Sequence, residues 1–121
     1  MSIVDIKKVT APKVIAITTH PDENILGYRG QLFREPEEED ATMVNEWSSA
    51  ELEAGVSFVF DPGAAGFVFR LVLQISSDAS IVVEITYTPA PPAPGHYDVP
   101  LPIADGNLQQ RDWVFVKEGG A

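Results

Sequence analysis

The sequence has no cysteine, only two histidines, and eight basic residues against eighteen acidic ones. Without cysteine there is no disulfide, no thiol nucleophile, no Cys-type zinc site and no iron–sulfur cluster. A sandwich-sized chain without a disulfide is expected in a reducing compartment, so the expected location is cytoplasmic. The formal charge of −10 repels nucleic acid and anionic lipid, and neither is an expected partner. No run of apolar residues reaches the length of a signal-peptide core or a membrane span. Glycine-rich phosphate loops, G-x-S-x-G elbows and H-E-x-x-H pairs are also missing, which removes the common signatures of nucleotide, acyl-transfer and metalloprotease chemistry.

What is present is a strand-forming chain. Its 121 residues suit one domain spanning residues 1–121, long enough to bury about two-thirds of its unfolded surface. From Val56 to Tyr87 three runs rich in Val, Ile and Phe are separated by clusters of Asp, Pro, Gly and Ser, which predicts a three-stranded antiparallel meander. Period two places Val56, Phe58, Phe60, Phe67, Phe69, Leu71, Leu73, Ile75, Ile81, Val83, Ile85 and Tyr87 on one buried face. The implied register sets Phe60 opposite Phe67 and Ile75 opposite Ile81, with Arg70 diagonal to Glu84 on the other face among Val59, Val68, Val72 and Val82.

Before the meander, Ile3 to Val9 is an expected edge strand guarded by Lys7 and Lys8, and Lys13 to Thr19 is a second strand. Residues 20–27 read as a loop and Gly27 to Arg34 as a strand. Glu35, Glu37, Glu38, Glu39 and Asp40 follow around Pro36. Five carboxylates in so short a run repel one another, so they are expected outside the core as a docking loop for a basic protein surface; calcium held by their oxygens is the alternative. One or two helical turns are expected near 41–50, because Met43, Val44 and Trp47 recur at helical spacing and Ser48-Ser-Ala-Glu51 has the form of a capping box, with a strand resuming at about Glu51. Trp47 is expected to cover the core.

The histidines offer the one candidate metal constellation. His20-Pro-Asp22 is repeated in kind by His96-Tyr-Asp98, and in an extended segment the first and third residues share a face, so each pair could present an imidazole and a carboxylate to a divalent metal. Solvated loop residues are the preferred reading of both pairs, with no metal or cofactor.

Four prolines lie between Pro89 and Pro94, and this stiff segment is expected to cross from one sheet to the other. Tyr97, Val99, Leu101 and Ile103 then alternate inward with His96, Asp98, Pro100 and Pro102 outward; Asp105-Gly106 is a turn, and Arg111 to Lys117 returns as the last strand of a hairpin. The run Pro94-Gly-x-Tyr97-x-Val99-x-Leu101-x-x-x-Asp105-Gly106 resembles the penultimate strand and turn of immunoglobulin-like sandwiches, with Tyr97 at the place of their corner tyrosine. Pro100 and Pro102 depart from that pattern and point to an edge strand. The expected fold is therefore an all-β, two-sheet antiparallel β-sandwich, immunoglobulin-like or a related Greek key, with a jelly-roll or C2-like arrangement as the alternative. The expected function is non-enzymatic: a protein-binding or assembly module. The alternatives are a metal-dependent site or small hydrolase using His20, Asp22, His96 and Asp98, and a structural subunit that self-associates as a homo-oligomer through edge strands or valine patches.

Overall fold

A computed structural model describes residues 3–34 and 42–118. Among these described residues nine strands and one short α-helix follow in chain order: β1 (Ile3–Val9), β2 (Lys13–Pro21), β3 (Ile25–Arg34), β4 (Thr42–Ser48), α1 (Ser49–Ala54), β5 (Val56–Phe60), β6 (Gly66–Ile75), β7 (Ala79–Thr88), β8 (Gly95–Leu101) and β9 (Leu108–Lys117). They form a five-stranded sheet in the order β1-β9-β6-β3-β4 and a four-stranded sheet in the order β5-β2-β7-β8. The two pack face to face as an all-β sandwich. Every pairing is antiparallel except β1 with β9, which run parallel. Among the described residues no helix is long and apolar enough to cross a membrane.

The inward faces are those that period two assigns. Phe60, Phe69, Leu71, Leu73, Ile75, Ile81, Val83 and Ile85 are fully buried, with Trp113 and Phe115 of β9 joining them. The expected meander, however, does not exist. β5, β6 and β7 are consecutive strands, but each turn between them carries the chain to the opposite sheet. Phe60 and Phe67 do meet, as an edge-to-face ring pair with centroids 5.6 Å apart, across the interior rather than along a ladder. In a sandwich, residues facing across the core satisfy the same alternation as residues paired within one sheet, so periodicity cannot separate the two. Arg70 and Glu84 are consequently on opposite outer faces. Arg70 stands across the ladder from Asp112 and donates to both of its carboxylate oxygens at 3.0 and 3.4 Å.

Three further expectations are corrected. Residues 42–48 form a strand, not a helix; the helix begins at Ser49, and β5 begins at Val56 rather than Glu51. The capping box is real. Ser48 Oγ accepts from the Glu51 amide while the Glu51 carboxylate accepts from the Ser48 amide at 2.7 Å. Pairing of β4 with β3, which sets Trp47 beside Gly30, outweighs the helical spacing of Met43, Val44 and Trp47. The loop expected at 20–27 shrinks to a tight turn, because His20 and Pro21 end β2 and Ile25 opens β3; Asp22 Oδ1 closes the turn by accepting from the Asn24 amide at 2.8 Å. Last, the proline-rich segment joins β7 to β8 within one sheet. The crossing between sheets falls instead between β8 and β9, through a 3-10 turn at Ile103–Asp105, so β8 and β9 are not a hairpin.

The open sides of the sandwich are closed differently. Between the edge strands β4 and β5, the Trp47 and Phe58 rings stack at 6.4 Å. Trp47 is buried, covering the core as expected, and Leu52 of α1 is buried with it. Between β1 and β8 the closure is polar.

Candidate functional site

β1 places Asp5 and β8 places Tyr97 on the inner side of the gap between the two sheets, and Tyr97 Oη donates to Asp5 Oδ2 at 2.6 Å. Asp5 Oδ1 accepts from the Ile6 amide at 2.8 Å, and Lys7 Nζ lies 3.5 Å from Oδ2. Burial alone would raise the Asp5 pKa; the Tyr97 and Ile6 hydrogen bonds and the Lys7 charge outweigh it and hold the carboxyl below its ordinary value. Burial and the neighbouring carboxylate push the Tyr97 phenol far up. Burial does the same to Tyr87, whose hydroxyl has no hydrogen-bond partner among the described residues. The hydroxyl end of the Tyr97 ring lies against Gly95, where a Cβ would stand 2.6 Å from its Cε2 and Oη. Sequence reasoning missed this cluster, although parity already put Tyr87 and Tyr97 inward; what it lacked was the neighbour relation between the first strand and the eighth. The Tyr97–Asp5 hydrogen bond joins β8 of one sheet to β1 of the other.

The His-x-Asp residues are only partly brought together. His20 on β2 and His96 on β8 share the outer face of the four-stranded sheet with Glu84 of β7 between them. His20 Nε2 and Glu84 Oε1 are 2.7 Å apart, Glu84 stands directly across the ladder from His96, and His96 Nε2 lies 3.8 Å from Asp98 Oδ1. Asp22 is held in the turn described above. Among the described residues no three such groups are close enough to share an ion. Glu84 is the residue the sequence reading left out, because only the strand order β2-β7-β8 sets it between the two imidazoles. The acidic run Glu35, Glu37, Glu38, Glu39 and Asp40 lies outside the described residues.

Two of the clefts among the described residues are open ones. One, of about 330 Å³, is lined by Tyr28, Arg29, Glu46, Trp47 and Ser48, where Arg29 and Glu46 pair at 3.7 Å and Tyr28 Oη bonds Thr19 Oγ1 at 2.6 Å. The other, of about 420 Å³, lies between Ile3, Val99, Pro100 and Arg111. Neither sets a nucleophile beside a base.

The outer face of the five-stranded sheet is different in kind. Ile6 pairs with Val114, Val114 with Val68, Val68 with Phe33 and Phe33 with Met43, so one uninterrupted apolar row crosses all five strands. Its ends are open, with Ile6 53% and Met43 49% exposed, and Val44 beside Met43 is exposed too. On one side the row is flanked by groups that neutralise each other: Arg70 with Asp112, and Gln31, which donates to Glu46 at 2.9 Å. Arg70 also lies 4.9 Å over the Phe33 ring. The row itself carries no charge, on a chain of net charge −10.

Compared with family models, curated proteins and solved structures, the chain matches none.

Proposed function

We propose that the protein is a non-enzymatic protein-recognition module that binds through the outer face of its five-stranded sheet. The observation that carries this reading is the apolar row Ile6, Val114, Val68, Phe33 and Met43, which buries nothing of its own at either end. In the sequence the acidic run starts two residues after Phe33 and ends three before Met43, and a partner that engaged both the row and the run would combine an apolar patch with basic residues. The sandwich is proposed to be immunoglobulin-like on the resemblance of residues 94–106, although β8 and β9 lie in different sheets, the Tyr97 hydroxyl goes to the Asp5 side chain and no functional residue is carried over.

The test is to isolate a partner from the native host and titrate it against variants. Ile6→Lys and Met43→Lys put cations at the two exposed ends of the row and should weaken binding about tenfold or more each, whereas Val59→Lys on the other sheet should not. Unchanged affinity in the first two, or equal loss in the third, refutes the assignment.

A further inference from the structure

Four strands end the two sheets, and three of them carry features that discourage another strand. β1 has Lys7, Lys8 and a register shift between Ile3 and Asp5; β4 has Glu46 and a register shift against Leu32 and Phe33 of β3; β8 has Pro100 with His96 and Asp98. β5 has none of these. Val56-Ser-Phe-Val-Phe60 contains no charge, no proline and no glycine, and it keeps an unbroken register with β2 from Val56 opposite Ile17 to Phe60 opposite Lys13. In an antiparallel ladder every second residue turns its N–H and C=O away from its partner, and among the described residues no strand takes up those of β5. The side chains along the outer surface beside this edge are small or apolar: exposed Val59 pairs with exposed Val14, and Ser57 with Ala16.

The ends of the edge are acidic. Glu51 and Glu53 lie just before β5 and Asp61 just after it, all exposed, while Lys13, the cation opposite Phe60, is only 6% exposed and points between the sheets. A second copy pairing through its own β5 in antiparallel would set Gly55 of one molecule opposite Asp61 of the other and bring the α1 carboxylates Glu51 and Glu53 to the same end, on two chains that each carry −10. We propose that the β5 edge accepts an extended segment of another protein as an added strand, β-branched at its centre and bearing Lys or Arg at both ends. Backbone hydrogen bonds would hold it, and the flanking charges would select it. This edge and the apolar row belong to different sheets, so either assignment can fail without the other.

The probe is a blocked synthetic heptapeptide, Lys-Val-Thr-Val-Thr-Val-Lys, measured by fluorescence anisotropy and by amide exchange of residues 56–60. Binding with slowed exchange confined to these amides is expected. The same peptide ending in Glu should bind about tenfold or more weakly at low salt, and N-methylation of alternate peptide amides on its hydrogen-bonding edge should abolish binding. Val59→Lys should weaken the Lys-ended peptide by a similar factor while folding normally, since Val59 is 59% exposed; Ser57→Lys serves as a second variant. Equal affinity for both charge forms, binding that survives N-methylation, or protection elsewhere on the molecule overturns the proposal. So does light scattering that finds a dimer in the wild type and a monomer in Val59→Lys, which would assign the edge to a second copy.

Discussion

Gly30 and Phe69 offer a test of the core in which the sign of an effect, as well as its size, is informative. Phe69 is fully buried, with its ring 6.1 Å from Trp47 and 6.0 Å from Trp113. Gly30, on the adjacent strand β3, has no room for a methyl group: a Cβ there would stand 2.9 Å from Phe69 Cε1 and 3.1 Å from a Leu52 methyl. Its backbone is not in the left-handed region, so the close ring, not the dihedral, requires glycine. Elsewhere in a strand Gly→Ala would gain roughly 0.5–1 kcal/mol; here overpacking should cost about 1–3 kcal/mol. Phe69→Ala should cost roughly 3–5 kcal/mol by leaving a cavity between two tryptophans. In the double variant the new methyl enters the space the ring has left, so the total should fall below the sum of the singles by about 1–2 kcal/mol. Urea unfolding followed by tryptophan fluorescence reads this directly, because both indoles touch the site. An additive double variant, a stabilising Gly30→Ala, or a Phe69→Ala that melts within a few degrees of the wild type would show that the packing described here is wrong.

The Asp5 carboxyl, held below its ordinary value, contributes stability above its unfolded pKa of about 4 that is lost as pH falls through the lower folded value. Asp5→Asn should therefore melt below the wild type at neutral pH, the gap narrowing below about pH 4; a gap independent of pH contradicts the link. Tyr87→Phe removes a buried hydroxyl with no partner among the described residues and should leave the melting temperature unchanged or raise it by the equivalent of about 1 kcal/mol; a clear loss would mean that the hydroxyl is satisfied. Changing His20 and His96 together to Gln breaks only exposed contacts and should change stability by less than about 1 kcal/mol, with metal content by elemental analysis the same as wild type. Loss of stoichiometric metal would restore the metal reading of the two His-x-Asp pairs. Neutralising Glu35, Glu37, Glu38, Glu39 and Asp40 to their amides should leave folding intact and remove any rise in melting temperature that calcium causes; a variant that cannot fold contradicts the expectation that they take no part in the core.

Much of the fold was legible because inward parity depends on the chain alone. Phe60, Phe69, Ile75, Ile81 and Ile85 had to be buried in any two-sheet arrangement, and Pro100 had to lie on an edge because it has no amide hydrogen to donate. Partnership was not legible. Whether Phe67 lies beside Phe60 in a ladder or faces it across the core depends on which way each turn carries the chain, and the turns at 61–65 and 76–78 show no local signal for crossing. The same ambiguity hides the partner of Arg70: a single-sheet register puts it diagonal to Glu84, whereas it pairs with Asp112, forty-two residues on. At residues 42–48 helical spacing and strand pairing competed, and pairing with β3 won. The surfaces were hidden for the same reason. The apolar row takes one residue from each of five strands, so no single segment displays it, and the Asp5–Tyr97 contact joins residues ninety-two positions apart.

Methyl-group NMR of the protein with and without its isolated partner tests the recognition face most directly. Binding through the outer face of the five-stranded sheet predicts that the methyl resonances of Ile6, Val68, Val114 and Met43 shift or broaden while those of Val82, on the outer face of the other sheet beside Glu84, stay in place. Shifts at Val82 with the row unmoved would contradict it.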